Sequence, residues 1–216
     1  MPAAAPVPLP PGRHKLSRDA VLASQRERIV AATMDCVATR GYAATTVTDI
    51  VSAARVSRNA FYVFFADKQD CFLACCDAEA TAAIAELNRQ AEQPTWRLAL
   101  DQATAAYLNW WRDRPQFAKA YLIELPAAGP IAAAQRERSY AAYRHMMEGL
   151  ARRARREDPD LPPLAPLASR LVVVGITEVV TEQVRAGALD TVMSLHRDLV
   201  EFTELVLAGW PRSSVS

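Results

Sequence analysis

Between Ser57 and Tyr62 the chain carries a hydroxyl, a guanidinium, a carboxamide and a phenol, on Ser57, Arg58, Asn59 and Tyr62. An arginine fork matches O6 and N7 of guanine, and an asparagine carboxamide matches N6 and N7 of adenine, so Arg58 and Asn59 suit base edges. That chemistry needs a short helix that starts with small or polar side chains and is held rigidly from behind. Val47, Ile50, Val51 and Val56 supply an apolar back, and Phe61, Phe64 and Phe65 can pin the reading segment. The elements follow from local signals. Thr46 and Asp49 have capping-box spacing and open a helix to about Ala54. Ser57 is the N-cap of a second short helix ending near Phe64. Residues 41–68 therefore predict a helix-turn-helix.

The flanking sequence extends the unit. Ile29, Ala32, Thr33, Cys36 and Val37 fall on one stripe of a helix over 20–40, which Gly41 terminates. A fourth helix opens near Asp67 and runs to Pro94. Beyond it the pattern predicts helices over 95–113, 116–125, 127–156, 167–185 and 191–208, separated by prolines, a loop over 157–166 and Gly187. No stretch alternates as a strand does. The expected fold class is all-α, with about nine helices.

Composition sets the wider frame. The formal net charge is only +1, but residues 1–68 hold nine Lys and Arg against five Asp and Glu, and the rest of the chain holds sixteen against nineteen. A basic head on a mildly acidic body implies that the head meets an anion. The Pro/Ala-rich start does not read as a signal peptide, because prolines break its apolar stretch and the basic residues follow it. No apolar run approaches the ~20 residues that span a bilayer. The expectation is a cytoplasmic protein with no membrane partner and reduced cysteines. Cys71 and Cys75 share a helix face, and a thiol sensor or soft-metal site is conceivable there. His14, His145 and His196 are remote in sequence, however, so buried small hydrophobes explain the cysteines better. No metal and no cofactor is expected.

Ile29, Ala32, Gly41-Tyr42, Thr45-Thr46-Val47, Asp49-Ile50, Val56-Ser57, Phe61-Tyr62, Phe65 and Lys68 together resemble the TetR family of transcriptional repressors over residues 26–76. The resemblance implies three domains: an N-terminal arm over 1–19, a DNA-binding domain over 20–68 made of three helices, and a helical ligand-binding and dimerisation domain over 69–216. It also implies phosphate contacts from Thr46, Tyr62 and Lys68. For Thr46 the alternative is capping alone, and for Tyr62 it is packing. Arg55 stands where the family has a turn glycine; it either meets a phosphate or is simply tolerated. Phe64 replaces a phosphate-contacting Tyr or His and brings no donor.

Aromatic and Met side chains concentrate in the body. Tyr107, Trp110 and Trp111 share one helical face, and Phe117, Tyr121, Tyr140, Tyr143, Met146 and Met147 follow. Core packing accounts for such a stripe. The resemblance adds a second reading, an apolar cavity for a small effector, lined by Tyr107, Trp111, Phe117, Tyr121, Tyr143 and Met147. The last two helices carry wide apolar faces, which in this family form a homodimer. The operator would then be a double-stranded palindrome, with reading helices ~34–36 Å apart or a multiple of that. An enzyme using the cavity finds no support, because the chain lacks a phosphate-binding Gly loop, an HExxH pair and a nucleophile motif. A helical dimer acting through protein partners stays as the alternative to a ligand-released repressor.

Overall fold

The computed structural model describes residues 17–209. Among the described residues the chain is all-α, with nine α-helices and no strand. They are α1 (Arg18–Arg40), α2 (Val47–Ala54), α3 (Arg58–Phe64), α4 (Lys68–Gln90), α5 (Trp96–Arg112), α6 (Pro115–Ala118), α7 (Pro130–Glu157), α8 (Pro166–Arg185) and α9 (His196–Ala208). Most of the expected N-terminal arm lies outside the described residues. Within them, Ser17 already caps α1, its hydroxyl accepting the Ala20 N–H at 3.2 Å.

Two segments differ from the sequence expectation. The helix expected over 116–125 is one turn of α-helix, then a π-helical turn (Lys119–Glu124), then a 3-10 turn (Leu125–Ala128). Pro126 has no N–H to give, so the chain cannot continue there as a regular α-helix. The final helix begins at His196 because Leu189–Leu195 is a 3-10 stretch.

The described residues form two compact units. The first runs to Glu79 and takes back Asp113–Gln135; the second comprises Ala80–Arg112 and continues from Arg136. The division thus falls inside α4 and not at Lys68, because the first turns of α4 belong to the core of the head. Phe72 is fully buried there and packs on Tyr42, and Cys71 Sγ lies 3.1 Å from Thr33 Oγ1 of α1. Ile29, Val37, Ile50 and Phe61 complete that core.

In the second unit, Trp96 and Leu100 of α5 pack with Met147, Ala151 and Ala154 of α7, Val172 of α8 and Leu207 of α9. Glu157 fixes the start of α5, its carboxylate accepting the Trp96 N–H at 3.0 Å. That bond holds the Glu157 carboxyl below its ordinary range, helped by Arg153 at 2.8 Å. No helix among the described residues is long and apolar enough to cross a membrane.

Candidate functional site

The head is built from its caps outward. Thr46 and Asp49 form a reciprocal capping box: Thr46 Oγ1 accepts the Asp49 N–H at 3.2 Å, and Asp49 Oδ2 accepts the Thr46 N–H at 2.9 Å. The Thr46 hydroxyl also donates to Asp49 Oδ2 at 2.6 Å, and these bonds draw the Asp49 carboxyl below its usual range. Arg40 holds the same carboxylate at 2.5 Å. In this arrangement the hydroxyl of Thr46 caps α2.

Between α2 and α3 the chain turns through Arg55, whose φ of 53° and ψ of 48° are left-handed. It is the one non-glycine residue with positive φ among the described residues. For an L-residue that conformation costs about 1–2 kcal/mol. Arg28 of α1 meets the strain from below: its Nη1 donates to the Ala54 carbonyl at 2.9 Å and to the Arg55 carbonyl at 3.1 Å. The Arg55 side chain remains exposed.

Ser57 then caps α3, accepting the Ala60 N–H at 3.1 Å. Phe61 anchors the helix from behind with no exposed surface, and its ring packs on Phe65 at 5.7 Å. Burying such a ring is worth roughly 1.5–3 kcal/mol, enough to fix a helix too short to stand alone. Ser57, Arg58, Asn59, Tyr62 and Val63 are left exposed, with Val63 at 66%. Arg58 and Tyr62 pair across one turn, Nη2 donating to the phenol oxygen at 3.4 Å. Phe64 is half-buried against Phe65, consistent with its lack of a donor.

Lys68, at the start of α4, is already engaged. Its ammonium donates to the Tyr42 carbonyl at 2.7 Å and sits 4.2 Å from the centre of the Tyr42 ring. The Tyr42 N–H is held by Glu124 of the π-turn at 2.8 Å. Lys68 and Glu124 thus grip both sides of one residue in the α1–α2 loop. The structure brings Thr46, Arg55, Ser57, Arg58, Asn59, Tyr62 and Lys68 into one head. Sequence reasoning missed Arg28 and Glu124, since their partners lie 26 to 82 residues away and no local pattern signals them.

The second unit holds a half-open cavity of about 370 Å³ lined by α4, α5, α7 and α8. Tyr107, Tyr143 and Met147 line it, with Leu100, Leu150 and Ile176. The Tyr107 phenol donates to Thr177 at 3.5 Å, and burial pushes its pKa up to about 12. Trp111 is buried behind Tyr107, edge-on at 5.8 Å, and does not line the cavity. Phe117 and Tyr121 pack on each other with tilted rings, 5.2 Å between centres, in the first unit and outside this lining. The cavity also has a polar side that the sequence did not flag. His145, Gly149, Arg152 and Arg156 recur along one stripe of α7 and all border it. Arg153 is committed elsewhere, donating to the carbonyls of Ala91 (2.9 Å) and Gln93. Arg152 and Arg156 are exposed and enter none of the ion pairs among the described residues.

On α8 the side chains of Leu167, Leu171 and Val174 are exposed in one stripe, and on α9 those of Phe202 and Leu205. Val172, Val180 and Leu199, also on the faces expected to dimerise, are buried within the chain. The four cysteines are buried and unbridged. Its hydrogen bond with Cys71, together with burial, pushes the Cys75 thiol far up, burial pushes the Cys76 thiol up, and hydrogen bonds with Cys75 and Thr33 pull the Cys71 thiol down.

Residues 29–75 match the family model described as bacterial regulatory proteins, tetR family. Solved structures share the fold. The fatty acid degradation regulator FadR of Bacillus halodurans is 19% identical, covering 85% of this chain and 98% of its own, with a TM-score of 0.74. FadR of Bacillus subtilis, solved in complex with stearoyl-CoA, is 18% identical with 82% and 96% covered and a TM-score of 0.74. PfmR of Thermus thermophilus is 21% identical with 87% and 98% covered and a TM-score of 0.63. No curated protein matches the chain.

Proposed function

We propose that this chain, which belongs to the TetR family of DNA-binding transcriptional regulators, is a repressor that holds a palindromic operator as a homodimer and releases it when an amphiphilic effector fills the cavity. The observation that carries the reading is α3. Its back is fixed by the fully buried Phe61, while Arg58, Asn59 and Tyr62 stand exposed with no role in the fold that requires them there. Arg58 and Asn59 address base edges; Arg55, Ser57, Tyr62 and Lys68 position the helix on phosphates, with Thr46 offering its end of α2. As a family member the chain is a regulator and not an enzyme.

The exposed apolar side chains of α8 and α9 support dimerisation through those helices. Three large hydrophobic side chains in one stripe of α8 and two more on α9 are more than scattered surface residues explain. The effector class follows from the cavity. Its apolar lining suits a hydrocarbon chain, and Arg152 and Arg156 suit an anionic head. The Bacillus subtilis relative in fold was solved with stearoyl-CoA, a molecule of that class. Tyr107, Tyr143 and Met147 are expected to touch the hydrocarbon chain, with Trp111 backing Tyr107.

Helix α4 offers a route for release. It begins at Lys68 in the head, and Leu87 and Asn88 of its last turns line the cavity. An effector that binds better to one setting of α4 shifts the operator equilibrium by the difference, typically about 1–3 kcal/mol. The test is calorimetric titration with a long-chain acyl-CoA, the matching free acid and the matching alcohol. The acyl-CoA is expected to bind with the alcohol weakest, and Arg152→Gln with Arg156→Gln is expected to remove that order. Equal binding of all three by the unaltered protein would contradict the anionic-head assignment.

A further inference from the structure

Val63 is the most exposed large hydrophobic side chain among the described residues, at 66%. It stands near the end of α3, one turn beyond Asn59, and the two share a face. Arg58 and Tyr62 form the neighbouring stripe and hold each other by hydrogen bond and by the guanidinium lying 5.8 Å from the ring centre. The outward surface of α3 therefore divides into a polar, paired stripe and a second one that ends in two bare methyl groups. Phe61 and Phe65 already fill the space behind α3, so Val63 has no place in the head core. A polar side chain at this position would be more soluble and no less helical, and the valine asks for a hydrophobic partner outside the chain.

In a major groove only one such partner exists, the C5-methyl group of thymine. We infer that Val63 is a specificity-determining residue that packs on a thymine methyl in each operator half-site, beside the base read by Asn59. This rests on the DNA-reading role proposed for α3. The occupant is argued from continuity with the reading face: Val63 adjoins Arg58, Asn59 and Tyr62 at the edge of the same exposed surface. Covering one methyl group is worth about 0.8 kcal/mol, which converts to about fourfold in affinity for each half-site.

The test begins with selection of an operator from random duplexes by the full-length protein. Each thymine of the selected palindrome is then replaced, pairwise in the two half-sites, by deoxyuridine, which removes the methyl and nothing else. One symmetric pair is expected to lower affinity by about 10- to 20-fold, the product of two fourfold losses. Val63→Ala is expected to bind the thymine operator that much more weakly and to be indifferent to deoxyuridine at the same pair; Val63→Thr, which keeps one methyl, is expected to respond in between. Circular dichroism of each variant should match the parent, since Val63 is mostly exposed and outside the head core. A flat deoxyuridine scan, or a Val63→Ala protein as sensitive as its parent, overturns the assignment and leaves the DNA-binding reading intact. Failure to enrich any sequence overturns both.

Discussion

Arg28 holds the carbonyl of Arg55, at 3.1 Å, and with the Ala54 carbonyl at 2.9 Å it secures the left-handed turn between α2 and α3. One cation of the head is therefore structural and another, Arg55, is left free on the surface by it. Arg28→Ala should destabilise the head by about 1–3 kcal/mol, because two carbonyls lose a charged donor. Arg55→Gly should leave stability unchanged or raise it by up to about 1 kcal/mol, since glycine adopts positive φ without the steric cost. Urea midpoints of the two variants check both signs. A stabilised Arg55→Gly protein that binds DNA more weakly, by the same factor on all sequences, would identify Arg55 as a phosphate contact.

Lys68 serves the fold as well as any phosphate, through the Tyr42 carbonyl and ring. Lys68→Gln keeps a donor for the carbonyl and removes the charge. Its affinity should fall alike on specific and nonspecific DNA, and the slope of log K against log salt should become shallower by about 0.9. Salt titrations at several concentrations measure this directly. An unchanged slope would confine Lys68 to the fold.

The head was largely legible in the sequence because its signals are local. Thr46 and Ser57 announce helix starts, Gly41 a helix stop, and the Phe61 spacing an anchored back. Arg55, which stands where the family has a turn glycine, takes the positive φ that a glycine would, at 53°. What pairs across distance was not legible. Nothing near Tyr42 in sequence points to Glu124, and nothing near Arg55 points to Arg28. The cavity shows the same limit. The aromatic spacing of Tyr107 and Trp111 gives their helix face but not which of the two reaches the cavity. Phe117 and Tyr121, similar in composition, belong to the other compact unit. The Arg152 and Arg156 stripe was hidden in a run of six arginine and alanine residues, where Arg153 and Arg155 donate to carbonyls and Arg152 and Arg156 do not.

Leu171 and Phe202 are exposed on α8 and α9, on the helices proposed to dimerise. Leu171→Glu with Phe202→Glu should convert the dimer to a folded monomer, since charge at the centre of an apolar interface costs several kcal/mol. Sedimentation velocity reports the mass and circular dichroism the fold. Operator affinity should fall with it, because two linked heads bind far better than one. A variant that remains dimeric would place the interface elsewhere.

Tyr107 gives the second unit an alkaline limit. Its phenol is buried and titrates near 12, against about 10 when unfolded. Below pH 10 both states hold the proton and its contribution to stability is complete. Between pH 10 and 12 only the unfolded state ionises, so stability falls as pH rises, by up to about 1.4 kcal/mol per unit. Urea midpoints at pH 9 and pH 11 should fall further in the parent than in Tyr107→Phe. Equal falls would mean that the phenol gains solvent access in the native protein.

The central claim is that one chain reads DNA through α3 and yields it to a ligand held in the cavity. Fluorescence anisotropy of the selected palindrome, at fixed salt, with and without saturating long-chain acyl-CoA, tests it most directly. The account predicts tight binding by the ligand-free dimer and a loss of about 5- to 150-fold when the acyl-CoA is present, with the loss abolished in Arg152→Gln, Arg156→Gln. Operator affinity that is identical with and without the acyl-CoA, in a protein shown calorimetrically to bind it, would contradict the account.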